Sequence, residues 1–396
     1  MFTSITHHLH RRALFAILSN IQAGKLTLTM PDGETREFLG PNDGPSADMQ
    51  ITHRSGLARI IHDGKIGFCE AFMKGEVTSG DLAQLVELAV VQNDFVEENL
   101  KLSRVKTAFR KLVHSWRRNS REGSRRNIAS HYDLGNTFYA KWLDGSMTYS
   151  SGIYENEQAD LATAQEAKYR RLAELVDIQP GDRVLEIGCG WGGFAEFVGH
   201  NYDATLTAIT ISKEQHDFAR DRIARAGLSD RVNISLTDYR DLDQHFDKIV
   251  SIEMFEAVGE AYWPTFFKTL SNCLRDGGRA ALQVITIDEA IFDLYRYEGD
   301  FIQHYIFPGG MLPSMPRLED PINQAGLRMV EEEGFAQHYA RTLEDWRQRF
   351  LDAWPEIVTM GFDARFKRMW ELYLAYCEGG FRGGSIDVKQ ILLVRE

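Results

Sequence analysis

The stretch VLEIGCGWGG, residues 184–193, constrains this chain more than any other. A short apolar run ends in glycines at 188, 190 and 192, and apolar residues at helical spacing follow. The pattern predicts a strand, a tight turn and a helix in direct succession. Glycine at those positions lets the backbone turn sharply and approach a ligand where any Cβ would collide. Gly188, Gly190 and Gly193 also satisfy the generic G-x-G-x-x-G spacing, so the glycines alone do not choose among cofactors. Two further features turn the reading away from a nicotinamide dinucleotide. Glu186 stands inside the strand, where a carboxylate is costly to bury without a cationic or hydrogen-bonding partner, and a ligand ammonium would be one. The acidic residue expected after the second strand to hold a dinucleotide ribose is absent, since that strand ends Thr210-Ile211-Ser212, followed by Gln215.

From about residue 126 onward, strand and helix patterns alternate. RVLEIG, TLTAIT, RVNISL, DKIVSIE and RAALQVITI read as strands, and 192–199, 213–226 and 262–274 as helices. Such alternation implies an α/β fold with a mostly parallel sheet covered on both faces and ligands at the carboxyl ends of its strands. Residues 1–103 have a different texture. KLTLTM and IGFCEAF read as short strands among turn signals at 31–33, 43–45 and 63–65, and SGDLAQLVELAVVQNDFVEENL as a closing helix opened by a Ser/Asp cap. The 396 residues exceed what one core usually organises. They divide into a small α+β N-terminal domain (1–103), a basic helix or linker (104–126) and a catalytic domain (127–396).

The net charge of −12 argues against a general nucleic-acid partner, but the charge is uneven. Residues 104–126 hold nine Lys/Arg and one acidic residue, a local +8 that leaves the rest of the chain at −20. This island is either a solvated linker or a dock for an anionic membrane surface. No run approaches the apolar length of a spanning helix, and MFTSITHHLHRR lacks a hydrophobic signal region, so the expected location is cytoplasmic and peripheral on the inner face of the membrane. Cys69, Cys189, Cys273 and Cys377 form no CxxC pair, and His7, His8 and His10 have no ligand-spaced partners, so no disulfide framework or metal site is expected.

The E-x-G-x-G-x-G pattern after a first strand resembles class I S-adenosylmethionine-dependent methyltransferases. Longer blocks are similar to the group of cyclopropane-fatty-acyl-phospholipid synthases and mycolic acid cyclopropane synthases. They include HYDLGNTFYAKWLD, MTYSSGIY, AQEAKYRRL, AITISKEQ, DYRDL, MFEAVG, YIFPGGMLPS, HYARTLEDW and FLDAWPEI, in family order between residues 131 and 390. The resemblance implies a Rossmann-like domain with a mostly parallel seven-stranded sheet, S-adenosylmethionine as cofactor, membrane phospholipid with an unsaturated acyl chain as substrate, and a homodimer formed through the N-terminal domain. It implies cofactor contacts at Tyr149 and Ser150 near the methionine end, with Gly188, Gly190 and Gly192 beneath. Thr210, Ile211 and Gln215 would lie around the ribose, and Asp238 and Tyr239 near adenine. Glu186 would orient the glycine loop or the ammonium.

Methylating an isolated double bond leaves a carbocation, which aromatic faces can stabilise. Tyr295, Tyr297, Phe301, Tyr305 and Phe307 are rich enough in rings to supply a wall, although packing explains any single ring equally well. A base must then take a proton. Loss from the new methyl closes a cyclopropane, and loss elsewhere, with or without a hydride shift, gives a methyl-branched or methylene-bearing chain. In the family that the sequence resembles, the base is a bound bicarbonate. Its holders match Glu256, Tyr339 and Cys377 here, but three positions depart. Ser151 replaces a cysteine, Gln283 a histidine and Glu253 a glycine that lies against the anion. Glu253 is therefore expected to replace bicarbonate as general base, its pKa raised by apolar surroundings and by Glu256. In the competing reading Glu253 faces solvent or an arginine, and bicarbonate is held by Glu256, Tyr339 and Gln283. The product is then open between a cyclopropane and a methyl-branched or methylene chain. Methylation of a small soluble acceptor and a non-catalytic binding module are the remaining alternatives.

Overall fold

The computed structural model describes residues 2–92 and 134–396; the basic stretch 104–126 lies outside the described residues. The described residues form two compact units, one drawn from 1–112, 297–306 and 343–385 and the other from 113–296, 307–342 and 386–396. The segments 297–306 and 343–385 fall within the 127–396 stretch that the sequence assigns to the catalytic domain.

The first unit opens with α1 (Phe2–Leu18), β1 (Ala23–Thr29), β2 (Thr35–Leu39), β3 (Asn42–Ile51), α2 (Arg54–Met73), β4 (Val77–Thr78) and α3 (Leu82–Val90). Its sheet runs β2-β1-β3-β4. Alternation along β1 turns Leu26 and Leu28 inward, as a strand with one buried face requires. IGFCEAF is not a strand: it forms the second half of α2, with Gly67, Cys69, Ala71, Phe72 and Met73 buried. A short apolar run does not distinguish a buried strand from a buried helix face. The turn signal beside it is a kink at Gly64 (φ 56°, ψ −129°), after which the helix resumes. The Ser/Asp cap is realised by Asp81, whose Oδ1 accepts from Ala83 N and Gln84 N, both at 3.1 Å.

The following elements are α4 (Leu161–Val176), β5 (Arg183–Ile187), α5 (Gly193–Asn201), β6 (Thr205–Thr210), α6 (Lys213–Arg225), β7 (Val232–Leu236), β8 (Phe246–Ile252), α7 (Trp263–Cys273), β9 (Leu274–Ile287), α8 (Glu289–Glu298), α9 (Met315–Gln324), β10 (Leu327–Gly334), α10 (Ala336–Ile357), α11 (Ala364–Arg382) and β11 (Ile386–Arg395). The second unit carries a seven-stranded sheet in the order β10-β11-β9-β8-β5-β6-β7. The pairs among β7, β6, β5, β8 and β9 are parallel, and β11 runs antiparallel to both of its neighbours. Both faces are covered. Leu185 and Ile187 pack with Phe266, Phe267 and Leu270 of α7 and Leu318 of α9, while Val184 and Ala208 pack with Leu172 of α4, Phe194 of α5 and Ile223 of α6. Burial on both sides explains why these strands read as apolar runs. After β7 the chain crosses to the other side of β5, so the sheet switches direction between β5 and β8, where a crevice opens at the strand ends.

In the first unit α11 lies against α3 through glycines. A Cβ on Gly379 would come within 2.7 Å of Val86 Cβ and 2.8 Å of Ala83 O. Glu378, fully buried beside it, pairs with Arg347 at 2.9 Å and Arg382 at 2.7 Å. Gly379→Ala is expected to cost about 1–3 kcal/mol by forcing the helices apart. Urea unfolding checks this, and an unchanged midpoint would contradict the close approach.

Candidate active site

Glu186, the fourth residue of β5, is buried, and its Oε2 finds no hydrogen-bond partner among the described residues. Burial pushes its carboxyl up to about 8, opposed by the ammonium of Lys168. The strand then enters the glycine loop, where Gly188, Gly190 and Gly192 take φ of 87°, 52° and 83°. These are left-handed conformations that glycine adopts without penalty. The amides of Gly188 and Cys189 both donate to Ile209 O, at 2.9 and 3.0 Å, which ties the loop to β6. An orphaned buried carboxylate under a loop of bare backbone fits a cofactor that carries an ammonium.

At the end of β6, Thr210 Oγ1 donates to Gln215 Oε1 at 2.9 Å and accepts from Ser212 N at 3.1 Å, with Ile211 half-buried between them. Asp238 is buried and held by Arg240, which donates to its two oxygens at 2.8 and 2.6 Å; Tyr239 packs edge-on against Phe266. Tyr149 is half-buried in a ring cluster, 5.5 Å from both Tyr139 and Trp142, with Trp191 of the glycine loop 5.0 Å from Tyr139. Sequence reasoning missed this cluster because nothing in the spacing of Tyr139, Trp142 and Tyr149 shows that they pack on one another and against Trp191. It also missed Arg222, whose Nη1 donates to Ser146 O at 2.6 Å and Trp191 O at 3.1 Å, joining the loop before α4 to the glycine loop.

Glu253, Ser151, Gln283 and Tyr339 come together at one carboxylate. Oε1 of Glu253 accepts from Ser151 N at 2.9 Å and Gln283 Nε2 at 2.8 Å, and Oε2 accepts from Tyr339 OH at 2.6 Å. Gln283 is itself oriented by Gln390, whose Nε2 donates to Gln283 Oε1 at 3.0 Å. Glu253 follows β8 directly with φ of 49°, a left-handed backbone unusual outside glycine and worth about 1–3 kcal/mol of strain. Three hydrogen bonds hold the carboxyl group in that geometry. Burial raises the Glu253 carboxyl above the usual range, while Tyr339, Gln283, Ser151 and Lys168 pull the other way. Glu256 Oε1 accepts from Ile285 N at 2.5 Å, and its Oε2 is buried without a partner among the described residues. Burial and the neighbouring Glu253 push Glu256 up to about 8.

Cys377 lies on α11 in the first unit, where burial and Asp300 raise its thiol well above the ordinary value, so it stays protonated. The aromatic segment is divided between the two units. Tyr295 OH accepts from Leu312 N at 3.1 Å and Phe307 lies 6.5 Å from Tyr149, both in the second unit. Tyr297, Phe301 and Tyr305 belong to the first, where Tyr305 OH donates to Glu70 at 3.0 Å. No group of side chains suited to holding a metal occurs among the described residues.

Comparison with known proteins places this geometry. Residues 119–391 match the family described as mycolic acid cyclopropane synthetase. The chain is 43% identical over 364 residues to tuberculostearic acid methyltransferase UfaA1 of Mycobacterium tuberculosis, covering 89% of this chain and 84% of that protein. It is 34% identical over 364 residues to cyclopropane-fatty-acyl-phospholipid synthase of Escherichia coli (strain K12), covering 91% of each. The solved structure of mycolic acid cyclopropane synthase CmaA1 complexed with SAH and CTAB is similar with a TM-score of 0.64 at 28% identity, over 68% of this chain and 98% of its own. The chain belongs to the mycolic acid cyclopropane synthetase family and is an S-adenosylmethionine-dependent methyltransferase.

Proposed function

We propose that this enzyme methylates the double bond of an unsaturated fatty acyl chain in membrane phospholipid, that Glu253 is its general base, and that the product is a methylene or methyl-alkene chain and not a cyclopropane. The observation that carries the reading is the Glu253 carboxylate bound to Ser151, Gln283 and Tyr339, at the position where the resembling family has a glycine beside a bicarbonate. S-adenosylmethionine, when bound, supplies an electrophilic methyl to the alkene and leaves as the neutral thioether, so the acyl chain is left with a positive charge that only proton loss removes. Glu186, the glycine loop, Thr210 and Gln215 hold the cofactor in this reading. Tyr149 and its neighbouring rings offer π faces toward the reacting end.

Glu253 takes the proton. Its oxygens are fixed from three directions, so the proton within its reach is set by its own backbone position and not by a separately bound anion. Loss from a chain carbon gives a methyl-alkene, and loss from the methyl after a hydride shift gives a methylene. Both are isomers of the cyclopropane and need no reductant. The UfaA1 relative, named for tuberculostearic acid and not for a ring, favours this product class. Among the described residues no helix is long and apolar enough to cross a membrane. Docking on lipid falls in this reading to residues 104–126, at about 1 kcal/mol per basic residue near an anionic surface.

Vesicles of cis-monounsaturated anionic phospholipid, incubated with enzyme and cofactor, are expected to yield acyl chains one CH2 heavier that keep olefinic proton resonances. Upfield cyclopropane protons in the NMR spectrum would overturn the product assignment, and turnover of soluble acceptors alone would overturn the lipid substrate. Glu253→Gln is expected to lower kcat by about 10²–10⁴ with little change in cofactor affinity. The base must be ionised to act and its pKa is raised, so kcat/KM in the unmodified enzyme should fall as pH drops through a value above the ordinary carboxylate range. Stopped assays across pH read both effects, and full activity in Glu253→Gln would eliminate the residue as base.

A further inference from the structure

Helix α4 turns Leu161, Ala164, Leu172 and Val176 inward, and Lys168 lies on the same buried stripe with 0% exposure. A lysine normally carries its ammonium out to water from such a position. Here Nζ donates to Ser150 Oγ at 2.6 Å and sits 4.6 Å from the ring centroid of Tyr169. One turn earlier Gln165 Nε2 donates to Ser150 O at 2.8 Å. The next amide, Ser151 N, makes the 2.9 Å bond to Glu253, and Ser151 O accepts from Gln283 Nε2 at 3.3 Å. The 150–151 segment is thus gripped by α4 at one residue and grips the carboxylate with the next.

The surrounding charges are mostly acidic. Lys168 is faced by Asp144 from the loop before α4, Glu186 from β5 and Glu253 from the end of β8. Glu253 is faced in turn by Glu256, by the Tyr339 hydroxyl from α10 and by Lys168. Burial pushes Glu186 and Glu256 up to about 8, which leaves both largely neutral near pH 7. Burial draws the Lys168 ammonium down to about 7 against the opposing pull of Glu253, Asp144 and Glu186, so its charge is complete only below neutral pH.

We propose that Lys168 is a positioning residue for the methylation: its buried ammonium, anchored on Ser150, holds the 150–151 segment in place and keeps the Glu253 carboxylate ionised and ready to accept the proton. The inference rests on Glu253 acting as base. An apolar residue of similar length would fill the same space, and would remove the charge that opposes burial of the carboxylate. An opposite charge nearby lowers a carboxyl by about 1–3 units.

The test uses the full-length enzyme with anionic phospholipid vesicles and reads kcat/KM against pH for Lys168→Met and Lys168→Gln. Loss of the cation raises the pKa of Glu253, so the acidic limb should move to higher pH by up to about one unit, equivalent to as much as about a tenfold loss of rate on that limb. Lys168→Gln keeps a donor for Ser150 and should show the same shift with a smaller drop at the high-pH plateau. A uniform drop with the acidic limb unmoved in the variants that bind cofactor would make Lys168 a packing residue and overturn the proposal. If Lys168→Met fails to fold, the Gln variant decides. Glu253→Gln separates this inference from the one beneath it. Full activity there rejects the base assignment, whereas an inactive Glu253→Gln beside an unmoved limb in the Lys168 variants rejects only the role of Lys168.

Discussion

A carboxylate placed in a left-handed backbone at the end of a central strand is the constraint on which the rest of the site depends. Glu253 gives up the conformational ease of glycine and gains bonds to a backbone amide, a carboxamide and a phenol. Those donors come from three separate stretches of chain, so the arrangement exists only if the sheet, the loop before α4 and the start of α10 are all in register. Gln283 is held twice, by its place on β9 opposite Gln390 of β11 and by the bond between their side chains. The fold turns a part-buried acid on a strained residue into an oriented carboxyl group.

The same logic runs through the neighbouring acids. Burial drives Glu186 and Glu256 toward the neutral form, so the site does not hold three charged carboxylates at once. Entry of a cofactor with an ammonium would restore a reason for Glu186 to ionise.

Much of this was legible in the sequence, for identifiable reasons. Strands buried on both faces write themselves as apolar runs, which is why β5, β6, β8 and β9 stand where the pattern places them, and the edge strand β7 was legible by its alternation. Strand β10 escaped because most of it faces outward. IGFCEAF escaped because an apolar heptad serves a helix face as well as a strand. Ser151, Gln283 and Glu253 could be flagged as departures from a family pattern, but their meeting at one carboxylate requires pairings 102 and 30 positions apart. Lys168 was visible only as a cation on an apolar stripe, a signal that acquires meaning once Ser150 and Glu253 are seen beside it.

The central claim is that Glu253 does internally what a diffusible anion does in the family that the sequence resembles. Glu253→Gly restores the unstrained residue and clears the three donors, so its activity measured with and without added bicarbonate tests the claim most directly. The account predicts an enzyme reduced at least about a hundredfold in bicarbonate-free buffer that recovers activity when bicarbonate is supplied, beside an unmodified enzyme indifferent to the ion. An unmodified enzyme that itself requires bicarbonate, or a Glu253→Gly variant fully active without it, would contradict the account.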